Sequence, residues 1–345
     1  MQIRKQEIGI FIGVICVVLA IVWLWMPRTK EKKELKIGVS LYSDSDTFVD
    51  SIVSSMQEQA AAYEAETGCP VTLNISRANG SQREQYDQVE QYAALGYDAV
   101  CVNLVDRTNA SSMVDLAQSE EVPLVFFNRE PVREDILRGE NVYYVGTDAR
   151  ETARMQGEAV LQSYAAAAEK IDKNGDGILQ YVMLEGEMGH QDTILRSDYV
   201  IQTIEDGGVK LQKLDAETAD WMRSRADAIM EQWIAEMGDE IELVLCNNDD
   251  MALGAADALK RKNFTAAVFG IDGTPAGLEA LEQKILWATV DCGAKEQGKA
   301  VFGIASALGM GKELPKEMEL TDGRYVRVPV RARIHESIFL SLIHI

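Results

Sequence analysis

A length of 345 residues allows two domains of ordinary size, and 47% hydrophobic with 26% charged residues is the composition of a folded globular chain. The net charge of −21 excludes nucleic acid as a partner, because phosphate binding requires clustered Lys and Arg side chains. The five cysteines show no CxxC spacing and no neighbouring His, which argues against a zinc site.

The N-terminal segment is predicted to anchor the protein in a membrane. Arg4 and Lys5 precede the uncharged apolar stretch Ile8–Met26, whose 19 residues, at ~1.5 Å each, nearly cross a ~30 Å hydrocarbon core. No A-x-A cleavage site follows, so we interpret the stretch as an uncleaved span with the rest of the chain outside the cytoplasm. Basic residues also follow the span, so the positive-inside rule gives no clean orientation, and cleavage as a signal segment is left open.

From Lys36 onwards, short β-branched runs alternate with longer amphipathic segments. The run KIGVSLY has the pattern of a buried strand, and apolar residues then recur every three or four positions from Phe48 to Tyr63, as in a helix. The alternation continues as strand 71–76, helix 81–94, strand 99–105, helix 109–119 and strand 122–128.

A second series of the same kind follows. Its segments are strand 143–148, helix 151–168, strand 179–187, a helix near 191–206, a strand near 209–214, helix 224–237, strand 241–249, helix 249–262 and strand 266–272. Strands separated by helices form parallel sheets through right-handed crossovers. Two such series predict an α/β fold of two doubly wound, Rossmann-like lobes.

Polar and aromatic side chains lie near the ends of many of these strands, where doubly wound sheets bind their ligands. A pyranose has two apolar C–H faces and a belt of hydroxyl groups, so its binding needs aromatic surfaces and planar side chains that donate and accept hydrogen bonds. The residues that supply this chemistry are Asp46, Phe48, Asn128, His190, Asp192, Arg196, Trp221, Asn248 and Asp272. Taken singly, each polar residue is also explained as a helix cap or surface residue, and each aromatic residue as part of a core.

The segment DKNGDGILQ has the ligand spacing of a calcium-binding EF-hand loop. Oxygen ligands occupy loop positions one, three, five, seven (through its carbonyl) and nine: Asp172, Asn174, Asp176, Ile178 and Gln180. Position twelve, which is a bidentate Glu in an EF-hand, is Met183. If the loop binds an ion, a carboxylate from elsewhere in the chain must take the place of Met183. The alternative to a calcium site is a solvated turn that binds no ion.

These motifs together resemble the periplasmic galactose/glucose-binding protein family from residue 36 to residue 330. The matching stretches are KIGVSLY, DAVCVNLVD, VPLVFFNREP, YYVGTD, DKNGDGILQ, GEMGHQDTILR, IELVLCNND, VFGID and VRVPV. The resemblance implies that the seven polar residues of the set bind sugar hydroxyls, and that Phe48 and Trp221 stack on its two faces. It also implies that Glu242 is the missing ligand of a structural Ca²⁺. One position departs from the family, since Cys292 stands where a further sugar-contacting Asn is expected; that contact is lost or passes to Asp291.

The resemblance further implies a type I periplasmic binding protein, in which a three-segment hinge joins the lobes. The first lobe is expected over 35–145 and 294–325 and the second over 146–293 and 326–330, with crossings near 146, 292–294 and 325–328. Residues 1–34 would form the anchor and linker. Residues 331–345 have no periodicity and leave an apolar end, LSLIHI, so we predict a non-native tail.

The resemblance implies an extracytoplasmic, monomeric protein that binds galactose, glucose or a methyl galactoside. Hinge closure would present the sugar to the permease and ATPase subunits of an ABC importer. An alternative is an anchored sensor that presents sugar occupancy to a chemoreceptor or kinase, and a carbohydrate-active enzyme is a weaker one. A repressor on the same core is excluded, because an apolar span stands where a basic DNA-binding helix would be needed.

Overall fold

The computed structural model describes residues 34–316 and 318–335. The predicted anchor Ile8–Met26 and residues 336–345 of the predicted tail lie outside the described residues. Within the described ranges, no helix is both long enough and apolar enough to cross a membrane.

The first lobe is built on a six-stranded parallel sheet with the order β11-β5-β4-β3-β1-β2. Its strands are β1 (Leu35–Leu41), β2 (Val71–Arg77), β3 (Ala99–Val102), β4 (Leu124–Phe127), β5 (Val142–Gly146) and β11 (Tyr325–Arg327). Its helices are α1 (Thr47–Thr67), α2 (Gln82–Ala94), α3 (Ser111–Ser119), α4 (Arg133–Arg138) and α10 (Ala294–Gly309).

The second lobe repeats this plan with the strand order β12-β10-β9-β8-β6-β7, in which only β12 is antiparallel to its neighbour. The strands are β6 (Ile178–Glu185), β7 (Lys210–Thr218), β8 (Leu243–Cys246), β9 (Ala267–Phe269), β10 (Ala288–Asp291) and β12 (Arg331–Ile334). The helices are α5 (Ala149–Ile171), α6 (Gln191–Asp206), α7 (Arg223–Met237), α8 (Asp249–Lys262) and α9 (Pro275–Glu282), with a 3-10 turn at Gly238–Glu240. The predicted fold class of two doubly wound α/β lobes is confirmed.

The central strands show why the chain folds in this way. Every residue of β3 (AVCV), β4 (LVFF) and β8 (LVLC) is buried, because helices cover both faces of each sheet. Such strands are continuous apolar runs, whereas the helices between them bury one face only. The carboxyl ends of both sheets therefore carry the polar residues that follow each run.

The C-terminal end of the fold differs from the prediction. Tyr325–Arg327 pairs with β5, so the whole of β11 lies in the first lobe rather than dividing after residue 325. Arg331–Ile334, which we placed in a tail outside the fold, pairs with β10 in the second sheet. This strand covers the free edge of β10, which would otherwise expose unpaired peptide groups.

Candidate functional site

A pocket between the lobes, at the carboxyl ends of both sheets, collects nearly all the predicted sugar-binding residues. It is lined by Tyr42, Asp46, Phe48, Asn128, Arg129, His190, Asp192, Arg196, Trp221, Asn248 and Asp272. All nine residues selected for carbohydrate chemistry are in this set, although the chain separates them widely. Tyr42 and Arg129 are lining residues that the sequence reasoning missed.

Asp46 is the N-cap of α1, and both of its oxygens are engaged on the protein side. Oδ1 accepts from the Val49 backbone N–H at 2.9 Å, and Oδ2 accepts from the Tyr42 hydroxyl at 2.8 Å. These contacts satisfy the helix terminus and hold the carboxylate at the pocket wall. Burial, with the charge of Asp46, raises the pKa of Tyr42, so this phenol remains a donor.

Asn128 has the left-handed backbone angle φ 59°, which Asn tolerates better than most residues. Its Oδ1 accepts from Nδ2 of the fully buried Asn103 at 3.0 Å. This contact determines which way the Asn128 amide is turned, and its Nδ2 is left to donate.

His190 caps α6 through its ring, because Nδ1 accepts from the Asp192 backbone N–H at 3.1 Å. Burial lowers the pKa of His190 well below its usual value, and the charges of Arg129, Arg196 and Arg107 lower it further. The imidazole is therefore neutral at physiological pH. A neutral ring that accepts at Nδ1 carries its hydrogen on Nε2, where it is a donor.

Arg196 is the buried cation at the centre of the second-lobe wall and is only 4% exposed. It donates to Asp192 Oδ2 at 2.9 Å and to the Asn247 carbonyl at 2.8 Å, and its Nη1 lies 3.7 Å from Asp272 Oδ1. Its buried Nε–H has no hydrogen-bond partner among the described residues. A buried donor of this kind calls for a ligand or water oxygen.

Asn248 and Asp272 complete the second-lobe wall. Asn248 caps α8 through Oδ1 and donates from Nδ2 to the Trp221 carbonyl at 3.2 Å. Asp272 has φ 122°, a strained angle for a residue other than glycine. Burial raises the pKa of Asp272 well above its usual value, Arg196 opposes this rise, and Asp249 adds to it.

Trp221 is held in place by an unusual backbone and by a glycine beneath its ring. Asp220 and Trp221 both have left-handed angles, φ 49° and 65°. The indole packs directly on Gly186, where an added Cβ would lie 2.1 Å from the ring. The ring is also edge-on to His190, with centroids 5.4 Å apart.

Two polar contacts join the lobes around the pocket. The Arg129 guanidinium stacks 3.5 Å above the Tyr42 ring and pairs with Glu187 of the other lobe at 2.7 Å. Thr47 Oγ1 donates to Asp250 Oδ2 across the cleft at 2.8 Å. The structure is therefore a closed arrangement of the two lobes.

The sequence from residue 37 to residue 313 matches the family model of the periplasmic binding protein domain. The chain belongs to the periplasmic binding protein family. It is 33% identical to the D-galactose/methyl-galactoside-binding periplasmic protein of Haemophilus influenzae, a match that covers 85% of this chain and 88% of the relative. The resemblance stated from the sequence motifs is thus confirmed at the level of the family.

Solved structures show the same fold. An ABC transporter solute-binding protein of Bacillus halodurans, with bound myo-inositol, is 28% identical with a TM-score of 0.72, covering 91% of this chain and all of that one. A periplasmic solute-binding protein of Actinobacillus succinogenes with bound D-allose has a TM-score of 0.73 at 17% identity, over 88% of this chain and 99% of that one. At that identity the second match shows the fold alone.

Cys292 does not line the pocket of this family member, although the resemblance placed a sugar-contacting residue there. The thiol is 1% exposed and lies 3.5 Å from the Val290 carbonyl. Asp291 does not replace it, because its carboxylate accepts from the Gly293 N–H and pairs with Arg333 of β12 at 3.1 Å. In this structure the Asp291 carboxylate thus faces β12 and is not among the residues that line the pocket.

The predicted calcium loop is brought together with Glu242, far from the pocket. Asp172 Oδ1 accepts from the Gly175 N–H at 2.7 Å, and Asn174 Nδ2 donates to Gln180 Oε1 and Asp176 Oδ2, both at 3.2 Å. The Glu242 carboxylate accepts from the backbone N–H groups of Lys173, Asn174 and Gln180. Among the residues that the structure describes, no group of three or more His, Cys, Asp or Glu side chains has the arrangement of a metal site.

Proposed function

We propose that the protein binds a monosaccharide, D-galactose, D-glucose or a methyl galactoside, between its lobes outside the cytoplasm. It would deliver this sugar to the permease and ATPase subunits of an ABC importer. The observation that carries the proposal is the pocket lining, in which the rings of Phe48 and Trp221 accompany donors and acceptors that protein contacts hold in single orientations.

The donors and acceptors suit a ring of hydroxyl groups. Asn128 Nδ2, His190 Nε2 and Arg196 Nε are left to donate, as the contacts above establish. The carboxylates of Asp46, Asp192 and Asp272 accept. A sugar hydroxyl both donates and accepts, so alternating protein donors and carboxylates pair with it, and such a set rejects analogues that lack a hydroxyl.

The relatives support a ligand of this class. The Haemophilus influenzae relative is named for D-galactose and methyl-galactoside, and the Bacillus halodurans protein holds myo-inositol, a ring of hydroxyls. A ribose import binding protein of Bacillus subtilis is 28% identical over 85% of this chain. Because these ligands differ, the choice of a hexose rests on the pocket residues rather than on family membership.

The protein would capture its sugar by closing the two lobes over it. The pocket is lined from both lobes, so a bound sugar favours the closed form by its differential contacts. The contacts Arg129–Glu187 and Thr47–Asp250 add stability to that form in the absence of sugar. The importer would recognise the closed shape.

We infer binding rather than catalysis, because the relatives are named as binding proteins and the pocket carboxylates are held by protein donors. Asp46 accepts from Tyr42, and Asp192 accepts from Arg196. The alternative, a sensor that presents sugar occupancy to a chemoreceptor or kinase, draws on the predicted anchor Ile8–Met26. Loss of sugar uptake on deleting the gene favours import, whereas loss of a sugar response with uptake intact favours the sensor.

Isothermal titration calorimetry of the purified full chain with D-galactose, D-glucose, D-ribose, D-xylose and myo-inositol tests the proposal. We expect a hexose to bind in the micromolar range or tighter, at about −8 kcal/mol or better, and the other ligands to bind more weakly. Preference for a pentose or for inositol would contradict the proposed sugar. A folded protein that binds none of the five would contradict sugar binding itself.

Gly186→Ala is expected to lower sugar affinity about tenfold with little change in the thermal midpoint, because the new methyl displaces the Trp221 ring from its packing position. Calorimetry and tryptophan fluorescence measure the effect. Gly303→Ala is the matched control, since its added methyl would meet only the flexible Met318 side chain, at 3.3 Å. Unchanged affinity in Gly186→Ala would show that the ring position does not govern binding.

We propose separately that the loop of Asp172, Asn174, Asp176, Ile178 and Gln180, with Glu242, holds a structural Ca²⁺. The donor set consists of carboxylate and carbonyl oxygens, which Ca²⁺ prefers. Glu242 is 1% exposed, yet its donors are backbone N–H groups. The adjacent Lys173 ammonium donates instead to the Ile241 and Thr265 carbonyls, so a cation would satisfy the buried carboxylate.

Calcium at a hundredfold excess over its Kd is expected to stabilise the protein by about 2.7 kcal/mol, seen as a rise in the thermal midpoint after chelator treatment. Glu242→Gln should remove this rise, while Glu240→Gln, on the neighbouring exposed turn, should retain it. Direct calorimetric titration with Ca²⁺ provides the binding constant. A thermal midpoint that does not respond to calcium in the unmodified protein would contradict the site.

A further inference from the structure

Asp249, the first residue of α8, is a fully buried carboxylate that does not line the sugar pocket. It accepts three hydrogen bonds: from Thr289 Oγ1 at 2.6 Å, from the Thr274 N–H at 2.8 Å and from Thr274 Oγ1 at 3.1 Å. These donors lie on β10 and at the N-cap of α9. The Asp249 carboxylate therefore connects α8, α9 and β10 through hydrogen bonds at the ends of these elements near the cleft.

Two glycines create the space for this carboxylate. A Cβ at Gly270 would lie 2.3 Å from Asp249 Oδ1, and one at Gly277 would lie 2.1 Å from Oδ2. Side chains at either position would expel the carboxylate. The cavity is shaped for Asp249 by the chain on both sides of Asp272.

The groups that Asp249 holds flank two proposed sugar-binding residues. Asn248 precedes it directly, and Thr274 lies two residues beyond Asp272. Thr289 Oγ1, which donates to Asp249, also accepts from the Gly273 N–H at 3.3 Å. Because Asp272 has the strained angle φ 122°, its turn needs such external contacts to persist.

We propose that Asp249 is a positioning residue of the sugar site, which holds the Asp272 turn in place and, through its own charge, sets the charge of Asp272. The inference rests on the proposed function and adds to it a dependence of sugar affinity on pH. That dependence arises from a group that does not touch the sugar.

The electrostatics agree with the geometry. Burial raises the pKa of Asp249 to about 7, against the lowering effect of its Thr289 and Thr274 hydrogen bonds, and Asp250 adds to the rise. Burial raises the pKa of Asp272, Arg196 lowers it, and the charges of Asp249, Asp46 and Asp250 raise it further. The buried thiols of Cys246 and Cys292 also lie within the field of Asp249, and burial together with nearby carboxylates raises their pKa values.

The direction in which sugar affinity changes with pH follows from the role of Asp272 as a hydrogen-bond acceptor. Asp272 accepts a sugar hydroxyl when it is ionised, so affinity falls as the pH drops through the pKa of Asp272. The substitution Asp249→Asn removes the neighbouring negative charge and thereby lowers the pKa of Asp272. The fall in affinity then moves to lower pH.

Calorimetry of the full chain with D-galactose, or with D-glucose if only that hexose binds, across the pH range in which the protein stays folded, tests this inference on Asp249→Asn. We expect the midpoint of the affinity profile to shift down by about one pH unit. A variant with the wild-type midpoint, whether its affinity is unchanged or uniformly weaker, overturns the charge coupling. If the unmodified protein binds no hexose, the proposed function fails instead.

Thr289→Val tests the positioning role while both carboxylates remain. We expect about tenfold weaker sugar binding, because the hydroxyl that joins Asp249 to the Gly273 N–H is lost, and recovery in Thr289→Ser. Thr152→Val is the matched control, because Thr152 is equally buried but donates to the carbonyl of Asp148, the N-cap of α5. Thermal midpoints confirm folding of each variant. Equal losses of affinity in Thr289→Val and Thr152→Val would overturn the positioning role.

Discussion

Replacing Arg196 by methionine is expected to lower the free energy of unfolding by about 3–5 kcal/mol and to abolish sugar binding. Methionine preserves much of the aliphatic volume but leaves Asp192 and Asp272 without their shared cation. Both carboxylates are largely withdrawn from solvent, with side-chain exposures of 16% and 6%. A buried carboxylate without its cation destabilises the folded state by more than the ion pair stabilises it.

Urea unfolding and calorimetry measure the two effects of Arg196→Met. Arg154→Met is the matched control, because Arg154 pairs with Glu151 and Glu158 on the surface of α5 and its side chain is 45% exposed. We expect the control to keep its sugar affinity and nearly all its stability, since exposed pairs contribute little. A stable Arg196→Met protein that still binds sugar would contradict both the buried ion pair and the proposed donor role.

The second large effect is expected for Trp221→Ala, which should weaken sugar binding by about a hundredfold, or about 2.7 kcal/mol. The indole is the aromatic surface of the second lobe, and its removal exposes one apolar face of the bound sugar to water. Stability should change little, because Trp221 is only partly buried at the edge of its core cluster.

Trp221→Gly is the control for Trp221→Ala, because the two variants differ in backbone strain. Trp221 has φ 65°, so glycine relieves a strain that alanine retains. Trp221→Gly should therefore be more stable than Trp221→Ala while binding sugar equally weakly, and Trp221→Phe should recover part of the affinity. Near-wild-type affinity in all three variants would remove Trp221 from the sugar site.

Much of the site could be predicted because its residues follow strands. Asp46, His190 and Asn248 are N-caps of the helices after β1, β6 and β8, so their positions follow from local patterns. Parallel strands bring these caps to one edge of each sheet. Arg129 was missed because its partners, the Tyr42 ring and Glu187, are distant in sequence and the second lies in the other lobe.

Cys292 shows the limit of transferring roles by resemblance. The resemblance assigned a sugar contact to this position, but the Cys292 thiol is buried beside the Val290 carbonyl. The neighbouring Asp291 is engaged by Arg333 on a strand that sequence patterns assigned to a tail. Pairing of β12 with β10 places Arg333 beside Asp291, and a short strand with no periodic partner nearby leaves no local signal.

By itself, the sequence determined the α/β alternation, the two lobes, the helix caps at the cleft and the oxygen-rich loop, because hydrophobic period and capping are local properties of a chain. Only the tertiary structure decided that Arg196 lies between Asp192 and Asp272, that Trp221 rests on Gly186, and that Asp249 is enclosed beneath the Asp272 turn. These contacts depend on which strand ends lie side by side and on how the two lobes are oriented. The spacing of residues along the chain does not specify either.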